Sequence, residues 1–467
     1  MRLTSFGHAA VLVETGSERI LVDPWLTSRL DRFWIRSPDV PDGLEEVLCD
    51  GLDAIFFTHH HFDHHHYPSL AALSLDHQAD FDETRSQRGR VRCFYPRLAD
   101  VPRFTASGLG HQAIGWTLRW LGFTDATAVT PGDTVQVGDA SVRTFRSAVP
   151  FPEMSLLISA NGAAVMLCGD SLLHRSTVDV FRGPACPKVD LALLPAHSTS
   201  PPGVLTERRG VADAAESRNR ARKTFERYAD VVGASVTVPS SFGWRVSADE
   251  SADGDGGGAG GFSWVNHAIF PFTPVEAGRL LDAQGRSHLL CGPGQILRVQ
   301  GGGVERTDSP YLDRPHDFEA MYRAVTLDPD VQVPPYDARV DRYGSQRESA
   351  DVLLERLTES LVGTDFWYRA AETGRSHLVE IGSDDGDHAY LLDVAAERAL
   401  RLPAGGGNAD MALETGFTRI AGSTLQALFD SDLLFGSAFG LWVSTEDLLS
   451  AVFHHPRFYV RHVQKTL

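Results

Sequence analysis

The chain has 467 residues and a mass of 51.0 kDa, and its 43 Lys and Arg stand against 61 Asp and Glu, a net charge of -18. An acidic balance with no basic run excludes a phosphate backbone as partner, so no nucleic acid is expected. No stretch approaches the roughly 18 consecutive apolar residues of a membrane helix, so no membrane contact is expected either. With 42% apolar residues there is ample material for a core, and the length suggests on the order of two to four domains. The cysteines Cys49, Cys93, Cys168, Cys186 and Cys291 are odd in number and dispersed, without a C-x-x-C pair. That usage fits a reducing compartment. The start MRLTSFGHAAVLVE lacks the pattern of a secretion signal, and a cytoplasmic location is expected.

The first elements read as short strands. Leu3–Phe6, Val11–Glu14 and Ile20–Val22 are rich in β-branched and aromatic residues, with Thr15-Gly16-Ser17 as a turn and Asp23-Pro24 as a stop. Trp25 to Pro41 has no period and reads as a loop over a site. A strand at Ala54–Thr58 follows, then a short helix near Ser69–Leu75, a polar loop over Asp76–Arg90, a strand at Val91–Phe94 and a helix near Leu98–Phe104. Thr134–Val137, Ser141–Phe145, Ser155–Ser159 and Ala164–Cys168 read as strands, with Gly138-Asp139 and Asn161-Gly162 as hairpin turns. Val189–Leu194 reads as a largely buried strand, Ala212–Tyr228 as a helix and Val236–Val238 as a strand. Ala252–Gly261 is a Gly-rich excursion, after which β-like sequence resumes at Phe262–Phe272. We place a first unit at 1–303, a connector at 304–348 and a small α+β unit at 349–467. The last contains helices near Ala350–Leu361, Ser423–Phe429 and Thr445–Phe453 and strands near Ser376–Ile381 and Ala389–Val394.

The chemistry concentrates directly after the Ala54–Phe57 strand, in Thr58-His59-His60-His61-Phe62-Asp63-His64-His65-His66. A surface histidine tract is the bland alternative, but this run follows a buried-looking strand and is interrupted by Phe62-Asp63. Alternation in an extended turn puts His59 and His61 on one side, able to chelate one ion, and directs Asp63 and His64 at a second. Imidazoles suit zinc, iron, copper or nickel, and the carboxylate favours a harder ion.

The T-H-x-H-x-D-H run, with Gly7-His8 and Asp23-Pro24 upstream, resembles the metallo-β-lactamase fold superfamily. The resemblance covers roughly the first 300 residues. It implies an α/β fold, an αββα sandwich with a dinuclear metal site between its sheets. It also implies that Asp23 supports the metal loop, that Asp170 of Cys168-Gly169-Asp170 bridges the two ions, and that His197 of Leu194-Pro195-Ala196-His197 completes the second. One element departs from the superfamily pattern, because no histidine lies between His111 and Asp170. Glu153, just ahead of the Ser155–Ser159 strand, is the substitute ligand expected there; the alternative is an exposed loop glutamate beside an incomplete site.

A glutamate at that position resembles the di-iron oxygenase branch, as in the chloramphenicol-pathway β-hydroxylase. Asp23-Pro24-Trp25-Leu26 and the ending Ser444–Tyr459 are similar to the CMP-N-acetylneuraminate hydroxylase group. Carboxylate-rich ligation suits iron that activates O2. The first expectation is therefore a di-iron oxygenase acting on a small molecule, in hydroxylation or N-oxygenation within a specialised biosynthetic pathway. His59, His61, Glu153 and Asp170 would hold one iron, and Asp63, His64, Asp170 and His197 the other. No Rieske cluster motif is present, so an external electron donor is implied. The alternative is a zinc or manganese hydrolase of an ester, lactone, thioester or phosphodiester on the same ligands, with Asp63 sharing in proton transfer. The tail could close the pocket, form a homodimer or dock a carrier protein or reductase.

Among the other candidates, His8 reads as packing or as support for a ligand. His60, His65 and His66 read as solvent-facing or supporting, and His174 as a helix start. His267, with Asn266, reads as a satisfied core residue, and His454 and His455 as surface. Trp25, Phe33 and Trp34 are either a substrate lid or loop anchors, and Cys168 is a core thiol.

Overall fold

β-Branched runs joined by Gly-containing turns pair with their neighbours in sequence, and the first three strands do so. The computed structural model describes residues 1–30, 34–79, 91–97, 111–149, 152–184, 186–196, 212–246, 264, 266–267, 270, 272–323, 325, 334–362, 364–394, 396, 398–403, 416–435, 438, 440–444, 448–453, 457–458, 461–462 and 465. The expected helix at Leu98–Phe104, the Gly-rich Ala252–Gly261, Phe33, His197, His454 and His455 lie outside the described residues.

The strands in chain order begin with β1 (Arg2–Gly7), β2 (Ala10–Glu14), β3 (Arg19–Val22), β4 (Trp34–Arg36), β5 (Ala54–Phe56), β6 (Arg92–Pro96) and β7 (Ala126–Val129). They continue with β8 (Thr134–Val137), β9 (Ala140–Arg146), β10 (Met154–Ala160), β11 (Ala163–Leu167), β12 (Leu191–Pro195), β13 (Val236–Ser240), β14 (Trp244–Val246), β15 (Gln295–Gln300) and β16 (Gly303–Asp308). Among the described residues they form an eight-stranded sheet in the order β16-β15-β1-β2-β3-β5-β6-β7 and a six-stranded sheet in the order β13-β12-β11-β10-β9-β8. β4 and β14 make a separate ribbon. In both sheets antiparallel hairpins give way to parallel pairs, β3–β5–β6–β7 in the first and β11–β12–β13 in the second. The β10–β11 hairpin turns through Asn161-Gly162 with φ of 52° and 74°. Two positive φ angles are what a tight two-residue turn between twisted strands requires.

The inward faces of the two sheets share one apolar cluster, in which Val13, Ile20 and Phe56 meet Leu156, Ile158 and Val165. The helices Arg175–Arg182, Ala212–Val232 and Pro274–Ala283 cover the outer face of the second sheet. The helices Tyr67–Ala79 and His111–Trp120 cover the first. The order helix, sheet, sheet, helix is the expected αββα sandwich. The first sheet runs on to Asp308 through the β15–β16 hairpin.

The C-terminal unit carries a five-stranded sheet of β17 (His377–Ser383), β18 (Gly386–Asp393), β19 (Arg398–Arg401), β20 (Gly416–Ala421) and β21 (Trp442–Ser444), in the order β19-β18-β17-β20-β21. Its helix Ala350–Leu361 buries Leu353, Leu354 and Leu357 in an apolar cluster that also contains Phe6, Trp25 and Leu70 of the first unit. No described helix is long and apolar enough to cross a membrane.

Three departures from expectation have local causes. The helix at Tyr67 runs to Ala79, so Asp76–Ala79 is helical rather than loop. Trp264, Asn266 and His267 adopt 3₁₀ geometry rather than the expected strand. Phe270 beyond them packs its ring on Phe242 and Trp244, using its apolar surface as an anchor instead of in a sheet. The helix Pro274–Ala283 was open to reading, because Thr273 and Glu276 form a reciprocal capping box with proline at the first turn.

Leu156 is fully buried between the sheets. Leu156→Ala is expected to lower unfolding free energy by about 2–5 kcal/mol, read by urea denaturation of metal-free protein.

Candidate metal centre

Asp23 ends β3 with a left-handed backbone (φ 48°) and is fully buried. Its Oδ1 accepts from the Thr58 N–H at 2.7 Å and its Oδ2 from the Thr58 hydroxyl at 2.7 Å. The same Oδ2 lies 2.8 Å from His64 Nδ1. One carboxylate thus fixes both ends of the loop after β5, and by occupying Nδ1 it leaves His64 to act through Nε2.

Between Thr58 and His64 the chain tightens into a turn, with the His64 and His65 N–H groups both donating to the His61 carbonyl. His59 and His61 converge, His59 Nε2 lying 2.8 Å from His61 Nδ1. The His59 and His64 rings are 4.1 Å apart. Glu153 reaches this pair from the second sheet: its Oε1 is 3.4 Å from His59 Nδ1, and the Met154 N–H donates to the Thr58 carbonyl across the sheet gap. Asp170 comes from the turn after β11 and sets Oδ2 3.3 Å from His64 Nε2. Gly169 is required before it, with φ at 53° and a hypothetical Cβ only 2.9 Å from the Thr58 hydroxyl.

His8 is drawn into the centre as well. Its Nε2 is 3.1 Å from Asp63 Oδ2, and its ring meets His64 edge-on at 4.9 Å. His8, Asp63, His64 and Asp170 each offer a ligand atom within 4.8 Å of the others. Behind them the buried Arg36 guanidinium donates to the Phe6 and Trp25 carbonyls and stacks 4.0 Å over the Trp25 ring.

Burial sets the protonation of the cluster. It pushes His59, His61 and His8 below their usual value, so these rings are neutral and ready to ligate. Burial also pulls on His64, but Asp170, Asp23 and Asp63 outweigh it and hold that ring protonated. Asp63 stays ionised because His64 and His8 overcome its own burial. Glu153 is pushed up to about 8 by burial, so its carboxyl keeps a proton at neutral pH.

The donor set fits metal ions. Among the described residues, Glu153 Oε2 is buried without a hydrogen-bond partner, and His64 Nε2 faces the Asp170 carboxylate at 3.3 Å, an arrangement a bound cation would suit. The structure brings His59, His61, Asp63, His64, Glu153 and Asp170 together around one place. His197 lies outside the described residues.

For the other candidates the structure chooses between the readings left open. His60, His65 and His66 are all buried rather than solvent-facing. His66 bonds Ser69 and the Leu30 carbonyl, and His65 packs edge-on against Phe57, because the tight turn folds both inward. Trp25 and Trp34 are fully buried loop anchors and not a lid. His174 caps the helix Arg175–Arg182, accepting from the Ser176 N–H. Burial pushes the Cys168 thiol up to about 12, in keeping with a core role. Sequence reasoning did not single out Arg36 or Ser241, the latter described below. Nothing local marks either residue.

Residues 2–154 match the family model of the beta-lactamase superfamily domain, and the sandwich around the centre is the metallo-β-lactamase fold. Over 63 residues the chain is 48% identical to a UPF0173 metal-dependent hydrolase of Aeropyrum pernix, a match to 14% of this chain and 22% of that relative. It is 28% identical over 199 residues to a UPF0173 metal-dependent hydrolase of Opitutus terrae, which covers 42% of this chain and 72% of that relative. The chain thus spans less than a quarter of the length of the first of these relatives. Among solved structures, CmlA, a diiron beta-hydroxylase from Streptomyces venezuelae, is 15% identical with a TM-score of 0.39, covering 66% of this chain and 54% of that one. The isothiocyanate hydrolase from Delia radicum gut bacteria is 15% identical with a TM-score of 0.38, covering 64% and 99%.

Ligands bind metal only after losing their protons, so a group whose value is raised opposes binding at lower pH. Metal affinity is expected to rise as pH climbs through about 8, where Glu153 ionises. Glu153→Gln should flatten that rise. Zinc titrations in chelator competition at about pH 6.5 and about pH 8.5 read both.

Proposed function

We propose that the protein is a dinuclear metal-dependent hydrolase of a small molecule bearing an ester, lactone, thioester or phosphodiester. The observation that supports two ions and not one is the place of Asp170, 3.3 Å from His64 Nε2, while the His64 ring lies 4.1 Å from His59, which with His61 and Glu153 makes the other half of the cluster. A carboxylate felt by both halves of the cluster suits a bridge. His59, His61 and Glu153 would hold one ion, Asp63 and His64 the other, with His197 proposed as a further ligand of the second. What such a pair supplies when bound is Lewis acidity and a water acidic enough to attack near neutral pH. Asp63, ionised and only partly exposed, would receive a proton, and Asp23 would keep His64 oriented while charge shifts. Support for hydrolysis over oxygenation comes from the relatives, which are named metal-dependent hydrolases.

A second reading rests on one residue. Glu153 beside His59 makes the first ion's surroundings richer in carboxylate, as an iron centre that activates O2 prefers. On that reading iron replaces zinc or manganese, O2 is a co-substrate, and another protein supplies the electrons.

Elemental analysis and assay separate the two. Untagged protein is expected to carry about two zinc or manganese ions, to lose hydrolysis of an ester and lactone panel on chelation, and to regain it on readdition. Iron at that stoichiometry, with an absorption band that bleaches on reduction and with O2 uptake, would overturn hydrolysis in favour of oxygenation.

A further inference from the structure

Five described residues other than glycine have a left-handed backbone: His8, Asp23, Asn161, Ser241 and Ser431. Asn161 sits in a hairpin turn and Ser431 caps a helix, both places where such a backbone is ordinary. The other three surround the metal centre, each at the end of a strand. Side chains seldom tolerate this conformation, and residues held in it gather where a site needs a fixed shape.

Ser241 is the member of this trio with no place in the ligand set. It follows β13, has φ of 53° and is fully buried. Its N–H donates to the His8 carbonyl at 3.0 Å, and its hydroxyl donates to the Gly169 carbonyl at 2.7 Å. His8 belongs to the β1–β2 turn of the eight-stranded sheet, and Gly169 and Ser241 belong to the six-stranded sheet. One residue therefore ties the peptide next to Asp170 to the turn whose imidazole bears on Asp63. Gly169 in turn abuts Thr58, which Asp23 holds together with His64. The contacts close a ring around the centre that crosses between the sheets at Ser241 and at the Met154 N–H to Thr58 carbonyl bond.

We propose that Ser241 is a positioning residue of the metal centre, setting the separation of Asp170 from the Asp63 and His64 side of the site; this rests on the dinuclear reading above. The left-handed backbone turns the N–H and the hydroxyl toward carbonyls on different sheets, and the hydroxyl holds the Gly169-Asp170 peptide in place before any ion arrives. Outer contacts of this kind commonly carry ~10–100-fold in metal affinity.

Two substitutions distinguish this role from a purely conformational one. Ser241→Gly removes the hydroxyl but suits the left-handed backbone, whereas Ser241→Ala removes the hydroxyl and keeps the strain. Zinc affinity is read by chelator competition, the ligand field by cobalt(II) absorption, and folding by the thermal midpoint of the same preparations. Both variants are expected to bind one of the two ions ~10–100-fold more weakly and to shift the cobalt spectrum, with Ser241→Gly keeping the wild-type midpoint. If Ser241→Gly matches wild type in affinity and spectrum while wild type binds two ions, the hydroxyl has no positioning role and the inference fails alone. A wild-type chain that takes up fewer than two ions overturns the dinuclear reading and the inference with it.

Discussion

The wholly buried Asp23 carboxylate is the contact on which the centre depends. Its two oxygens take the Thr58 N–H, the Thr58 hydroxyl and His64 Nδ1, so a single side chain closes the loop after β5 on itself. Such a carboxylate is costly to bury unless every oxygen is engaged, and here each one is. The placement follows from topology. Parallel pairing of β3 with β5 puts the residue after one strand beside the residues after the other, and the Asp23 N–H accordingly donates to the Phe56 carbonyl.

The charge pattern of the cluster follows from that arrangement. A buried site with three carboxylates near His64 raises that imidazole above its usual value, while burial, joined by the charges of Asp170 and Asp23, pushes Glu153 up. Arg36, held by two backbone carbonyls and the Trp25 ring, adds a buried positive charge behind the site. It joins the end of β1 to the loop after β3, so the two strand ends that lead to His8 and Asp23 are tied together from behind.

The parts of this arrangement that sequence reading recovered are those written locally. His59, His61, Asp63 and His64 lie within six consecutive positions, so their spacing alone announces a chelating turn. Hairpins marked by Asn161-Gly162 were readable because the turn residues themselves demand the geometry. Glu153 was found through an absence, the missing histidine, and the structure brings it to 3.4 Å from His59. The contact of His8 with Asp63 spans 55 residues and that of Ser241 with Gly169 spans 72. No spacing rule encodes such pairs, since only the stacking of two sheets brings them together. His65 and His66 were open between a solvent-facing and a supporting place for a related reason: only the closed turn shows that they face inward.

Asp23, Thr58, Asp170 and Ser241 all sit just past the carboxyl ends of strands, on both sheets, and none lies within the paired region. Chemistry and framework are therefore separate in the chain. The interior strand positions answer to packing, and the segments that leave those ends answer to whatever the ions act upon. The outgoing segments can be lengthened or exchanged without touching the inter-sheet apolar layer or the bracing carboxylate. Diversification is thereby channelled to one rim of the molecule.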